Sequence, residues 1–153
     1  MAKISATWTK LASTARLQRS SQCLSVLDSR AWIFGGELLP RQPVDYQLDV
    51  IKLGAAQQPG SVTTLAAPAE APSPRVGSTT IGLNDKLYMF SGRAGLAMVP
   101  IEEKGALWRY SPGQSLWKLI APADPTASRE TTRCSPRGRR ERSKCGVKRA
   151  SGA

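Results

Sequence analysis

The chain has 153 residues, with 22 Lys and Arg against 11 Asp and Glu, three cysteines and no histidine. Without histidine, Ser-His and Cys-His nucleophile pairs and histidine-ligated metals are excluded from its own chemistry. An odd cysteine count and no apolar run in Met1 to Thr7 point to a cytoplasmic setting without a secretory signal, and nothing approaches the roughly 20 apolar residues of a membrane span.

In chain order, Trp8-Thr-Lys-Leu11 reads as a third copy of the last strand of each repeat, the one at Val62 to Leu65 and at Leu116 to Leu119, without the hairpin that should precede it. Cys23 to Leu27 and Ala31 to Phe34 follow, separated by Asp28-Ser29-Arg30. Two apolar runs joined by two or three polar residues form a hairpin signal, and Asp suits such turns because it tolerates left-handed backbone. Ala31 to Phe34 is apolar at consecutive positions, which predicts burial on both faces. It ends on Gly35-Gly36 and is followed by Glu37, then by strands at Leu48 to Ile51 and Val62 to Leu65. The pattern then restarts: Thr79 to Leu83, a turn at Asn84-Asp85-Lys86, Leu87 to Phe90, Ser91-Gly92, Arg93, and strands at Leu107 to Tyr110 and Leu116 to Leu119.

The two copies are 56 residues apart, measured from Gly35 to Ser91. At that offset Arg19 matches Arg75, Leu27 matches Leu83, Trp32 matches Tyr88 and Phe34 matches Phe90. A match of several residue types at one period near 50 is the mark of propeller blades. The folded part is therefore expected to be all-β: about two four-stranded antiparallel blades, repeat one spanning about 16–68 and repeat two about 72–122. Ser91 breaks the glycine pair, so a less extreme backbone is expected there than at Gly35. Arg19 and Arg75 read as structural residues that pair with carbonyls or carboxylates between blades. Asp45 with Asp49, and Glu102 with Glu103, read as solvated loop carboxylates, and Cys23 as a small core residue. Trp8, Trp32, Trp108 and Trp117 are expected to pack within or between blades.

These motifs resemble the kelch-repeat β-propellers of the galactose-oxidase-like superfamily. The marks are Phe34-Gly35-Gly36 and its weaker copy Phe90-Ser91-Gly92, Tyr110 in the third strand and Trp117 in the fourth, while Ile51 and Val62 depart from the pattern. Within that group the chain resembles most the plant-type nitrile-specifier and epithiospecifier proteins and their fungal relatives. That resemblance rests on Trp8-Thr-Lys-Leu11, Arg19-Ser-Ser21, Ile33 to Leu38, Pro74-Arg-Val-Gly77 and Lys86 to Phe90, and covers about 5–125. It implies that Arg93 matches an arginine that holds a negatively charged intermediate, for which a permanently charged, bidentate guanidinium is suited. Glu37 occupies the same place in the first repeat. It also implies that iron is bound by Glu, Asp and His of later blades, which this sequence does not contain.

Propellers close with about four to eight blades, and two repeats fall short of a ring. The sequence thus reads as a fragment or truncated product, with 1–126 a partial propeller. Residues 127–153 hold nine basic and two acidic side chains, and Val147 is their only large apolar residue. Such a segment is expected to be a disordered basic tail. Cys134 and Cys145 within it make a poor zinc site without histidine. The tail has no aromatic residue for base stacking, so nucleic-acid binding is not expected; a nuclear location follows only if the tail is native sequence. The function read from these features is a protein-interaction module that meets a protein partner through propeller loops. Self-association through exposed blade faces is expected, with no metal or catalytic residue of its own. The alternative is the amino-terminal part of a specifier-like enzyme acting on glucosinolate-derived intermediates, with iron supplied by missing blades.

Overall fold

The computed structural model describes residues 4–54 and 62–123. The tail expected at 127–153 lies outside the described residues. Those described are all-β, with one 3-10 turn at Ala15–Leu17. The strands are β1 (Cys23–Leu27), β2 (Arg30–Phe34), β3 (Glu37–Leu39), β4 (Gln42–Pro43), β5 (Leu48–Lys52), β6 (Val62–Leu65), β7 (Thr79–Leu83), β8 (Lys86–Phe90), β9 (Arg93–Ala94), β10 (Val99–Pro100), β11 (Leu107–Ser111) and β12 (Leu116–Ile120). Sheet one has the order β1-β2-β5-β6 and sheet two β7-β8-β11-β12, every pairing antiparallel. Between the second and third strands of each sheet stands a small hairpin, β3-β4 and β9-β10.

The two halves repeat in backbone detail. Leu27 pairs with Arg30 and Leu83 with Lys86, leaving two-residue turns. Asp28 and Ser29 have φ of 51° and 53°, Asn84 and Asp85 47° and 56°. Positive φ at both central residues gives a turn whose twist matches that of the strands it joins. Bridges join Ser20 to Glu37 and Val76 to Arg93, again 56 residues apart. Gly35 has φ 65° and Ser91 has φ 61°. The relaxed geometry expected at Ser91 is therefore not found: the serine is held in the same left-handed conformation as its glycine counterpart.

One face of sheet one packs on one face of sheet two. The core joins Cys23, Trp32, Phe34, Leu48 and Val50 to Leu87, Met89, Tyr110 and Trp117. Ring centroids of Trp32 and Tyr110 lie 5.7 Å apart, those of Phe34 and Trp117 5.7 Å, and those of Tyr110 and Trp117 5.0 Å, all tilted or edge-on. These are the favoured geometries of aromatic quadrupoles. The first strands meet through a 2.8 Å hydrogen bond between the hydroxyls of Ser25 and Thr80.

Two burial expectations need correction. The strand expected at Trp8 to Leu11 does not form, and Trp8 is 94% exposed. Each sheet already has a fourth strand of its own, β6 and β12. Burial on both faces holds for β2, where Ala31 to Phe34 are all buried. In β8 only Leu87 and Met89 are buried, and Phe90 is exposed. The apolar run is alike in both strands, but among the described residues sheet two is covered on one face only.

Candidate functional site

The ends of β2 and β8, with the hairpins that follow them, lie at one edge of the two sheets, opposite the β1-β2 and β7-β8 turns. Two arginine clamps shape it. In repeat one, Asp49 is fully buried on β5 and accepts from Arg19, from Arg16 Nε at 2.8 Å and from Thr64 Oγ1 at 2.6 Å. The other two nitrogens of Arg16 reach Asp45 at 2.7 and 2.9 Å. In repeat two, Arg75 donates to both oxygens of Glu103 at 2.8 and 3.1 Å and to the carbonyls of Ser91 at 3.1 Å and Ser73 at 3.0 Å. Trp108 Nε1 adds a 2.6 Å bond to Glu103.

The reading of Asp45, Asp49 and Glu103 as solvated loop carboxylates is thus corrected, because each is the anionic partner of an arginine. Burial by itself would push the Asp45 carboxyl up, but hydrogen bonds from Arg16 and from the Gln47 N–H hold it below its ordinary value. The bond to Asp45 holds Arg16 more firmly protonated, against desolvation, and Asp49 adds to this. A second correction concerns direction. The Arg19 and Arg75 side chains serve their own repeats rather than bridging between repeats. What crosses is backbone: Gly36 N–H donates to the Arg75 carbonyl at 2.9 Å, and Gly77 N–H to that of Ser21 at 2.9 Å. Those two bonds bring the roots of both hairpins into one edge.

Glu37 and Arg93 each open a hairpin. Glu37 is half-buried, and its Oε2 accepts from the Arg41 N–H at 2.7 Å. Arg93 is bound through its backbone to Val76 in both directions, at 2.9 and 3.0 Å, and its side chain is exposed. Among the described residues Arg93 has no ion-pair partner, and it does not pair with Glu37. Around these two, the hairpins hold Leu38, Leu39, Leu96 and Val99 in solvent. The sequence reading missed these four, although Leu38 and Leu39, apolar residues two and three places after the strand-ending glycine pair, were a visible signal.

Among the described residues the edge has apolar surface and an exposed guanidinium, and Asp45, Asp49 and Glu103 are each taken up by an arginine. Among the described residues no three His, Cys, Asp or Glu side chains come together as metal ligands. Cys23 is buried beneath the edge, where desolvation pushes its thiol above the ordinary value. No family model matches the chain, and a search of curated proteins finds no match.

Proposed function

We propose that the chain is a pair of kelch-type propeller blades serving as a protein-interaction module. The observation that carries this reading is the pair of hairpins, β3-β4 and β9-β10, that hold apolar side chains in water at one edge of two sheets. Loops on a fixed sheet scaffold are where such folds carry binding. Exposed leucines on hairpins that also carry Arg41 and Arg93 suit an apolar segment flanked by carboxylates. Cross-linking mass spectrometry on the full chain tests this, comparing wild type with a Leu39→Asp/Leu96→Asp variant. A partner captured by wild type and lost in the variant is the expected result. Recovery of chaperones alone, by both proteins, would refute it.

Arg93, exposed and without an ion-pair partner among the described residues, favours a second reading, in which the chain is the amino-terminal part of a specifier-like enzyme and Arg93 binds an anionic group of a glucosinolate-derived intermediate. Sulfate titration followed by NMR should then shift the resonances of Val76, Gly92 and Arg93, and Arg93→Met should abolish the shift.

A further inference from the structure

The face of sheet two that no described residue covers carries the proposal, because the molecule contains a template for what covers it. This face presents Thr79, Ile81, Leu83, Tyr88, Phe90 and Leu107 around an open concavity of about 440 Å³. Shifted back by one repeat, Ile81, Leu83, Tyr88 and Phe90 become Ser25, Leu27, Trp32 and Phe34. Leu107, first residue of the third strand, becomes Leu48. Trp32, Phe34 and Leu48 are buried in the core that sheet two covers. The same positions are therefore occupied at one end of the fold and empty at the other.

The complementary half is also present. Thr80 and Gly82 are on the face of β7 turned toward sheet one, where Thr80 bonds Ser25. Their counterparts in repeat one are Leu24 and Val26, which are 54% and 57% exposed on the far face of sheet one. One end of the molecule thus offers the receiving surface and the other the first-strand part of the covering surface, Leu24 and Val26; Ala31 and Ile33, which stand where repeat two has Leu87 and Met89, are already buried. Arg109 stands where repeat one has Val50, and its buried Nε has no acceptor among the described residues.

We infer that the chain self-associates head to tail, the Ile81–Phe90 face of one copy receiving the Leu24–Val26 face of the next. Such a contact is heterologous: it joins two different patches and propagates unless rotation closes a ring. A two-fold pairing of Ile81 faces would instead require contacts that occur nowhere within the fold. Ser91 makes the intermolecular contact looser than the internal one. Its Cβ stands where Gly35 leaves room for the carbonyl of the next repeat's arginine. This inference concerns the sheet faces and does not depend on the hairpin edge or its partner.

Sedimentation velocity of the full chain over a range of concentrations tests it, with the exposed-site variants Val26→Lys and Ile81→Lys run alone and as an equimolar mixture. Wild type should grow in mass with concentration. Each variant alone should associate at least about tenfold more weakly, since a lysine would be buried in an apolar contact. The mixture should form a one-to-one dimer and stop there, because each variant keeps the half that the other has lost. Ser91→Gly should tighten association. Circular dichroism checks that the variants fold, with Leu24→Lys and Leu83→Lys as replacements if either does not. A monomeric wild type at all concentrations, a Val26→Lys protein that associates as tightly as wild type, or a mixture that stays monomeric would overturn the inference.

Discussion

Alanine at Gly35 separates the contact between repeats from the intrinsic strain of the turn, because Ser91 supplies the control. Both residues have nearly the same φ, 65° and 61°. A Cβ in left-handed backbone costs about 1–2 kcal/mol wherever it occurs. At Gly35 it would in addition overlap the carbonyl oxygen of Arg75. That overlap pushes repeat two away and weakens the 2.9 Å bond from Gly36 N–H to the same carbonyl. A net hydrogen bond contributes about 1 kcal/mol. Gly35→Ala should therefore destabilise by about 2–4 kcal/mol, or roughly 8–16 °C in Tm for a domain of this size. Ser91→Gly relieves strain and adds chain entropy in the unfolded state, so its net effect should stay within about 1 kcal/mol. Urea unfolding followed by tryptophan fluorescence measures both, since Trp32 and Trp117 lie in the core joining the sheets. A Gly35→Ala cost no larger than about 1 kcal/mol would show that the Arg75 carbonyl does not press on Gly35, and the packing of the two repeats would have to be revised.

Three other outcomes follow from the clamps and the core. Asp49→Asn keeps the shape of the hub but leaves Arg19 charged and closed to solvent, so it should cost about 3–5 kcal/mol in the same urea assay. Asp45 is held below its ordinary value of 3.8, so it contributes stability above that value and loses it as the pH falls through the lower, folded one. Between pH 6 and pH 3 the urea midpoint of wild type should consequently fall further than that of Asp45→Asn. Burial raises the Cys23 thiol, which keeps it protonated and unreactive. Mass-resolved labelling with a thiol reagent at pH 8 should therefore modify Cys23 only at the rate of global unfolding.

The hairpins were legible because their information is local. Asp28-Ser29 and Asn84-Asp85 favour left-handed backbone, and apolar runs on either side fix which residues pair. The clamps were not, because their partners are far apart in the chain: 33 residues from Arg16 to Asp49, 30 from Arg19 to Asp49 and 28 from Arg75 to Glu103. Only the sheet brings them together. One clue was present, a single acid inside the otherwise apolar run Leu48-Asp-Val-Ile51, since a charge there must be paired once the strand is buried. Trp8-Thr-Lys-Leu11 has the composition of a fourth strand, but composition cannot say whether a sheet is waiting for it.

Repeat positions carry a finer kind of information than strand patterns do. Gly35 and Ser91 adopt one backbone conformation, so φ alone does not decide which residue stands there. What differs is the neighbour: the Arg75 carbonyl lies against Gly35. The same logic relates Val50, in the core, to Arg109, and Phe34 to Phe90, which is 47% exposed. Where a repeat loses its glycine and gains a charge, the contact on that side is under less stringent packing demands than the internal one. An intermolecular contact reusing that face should therefore be weaker than the joint between the two repeats, and it should be the first to separate on dilution.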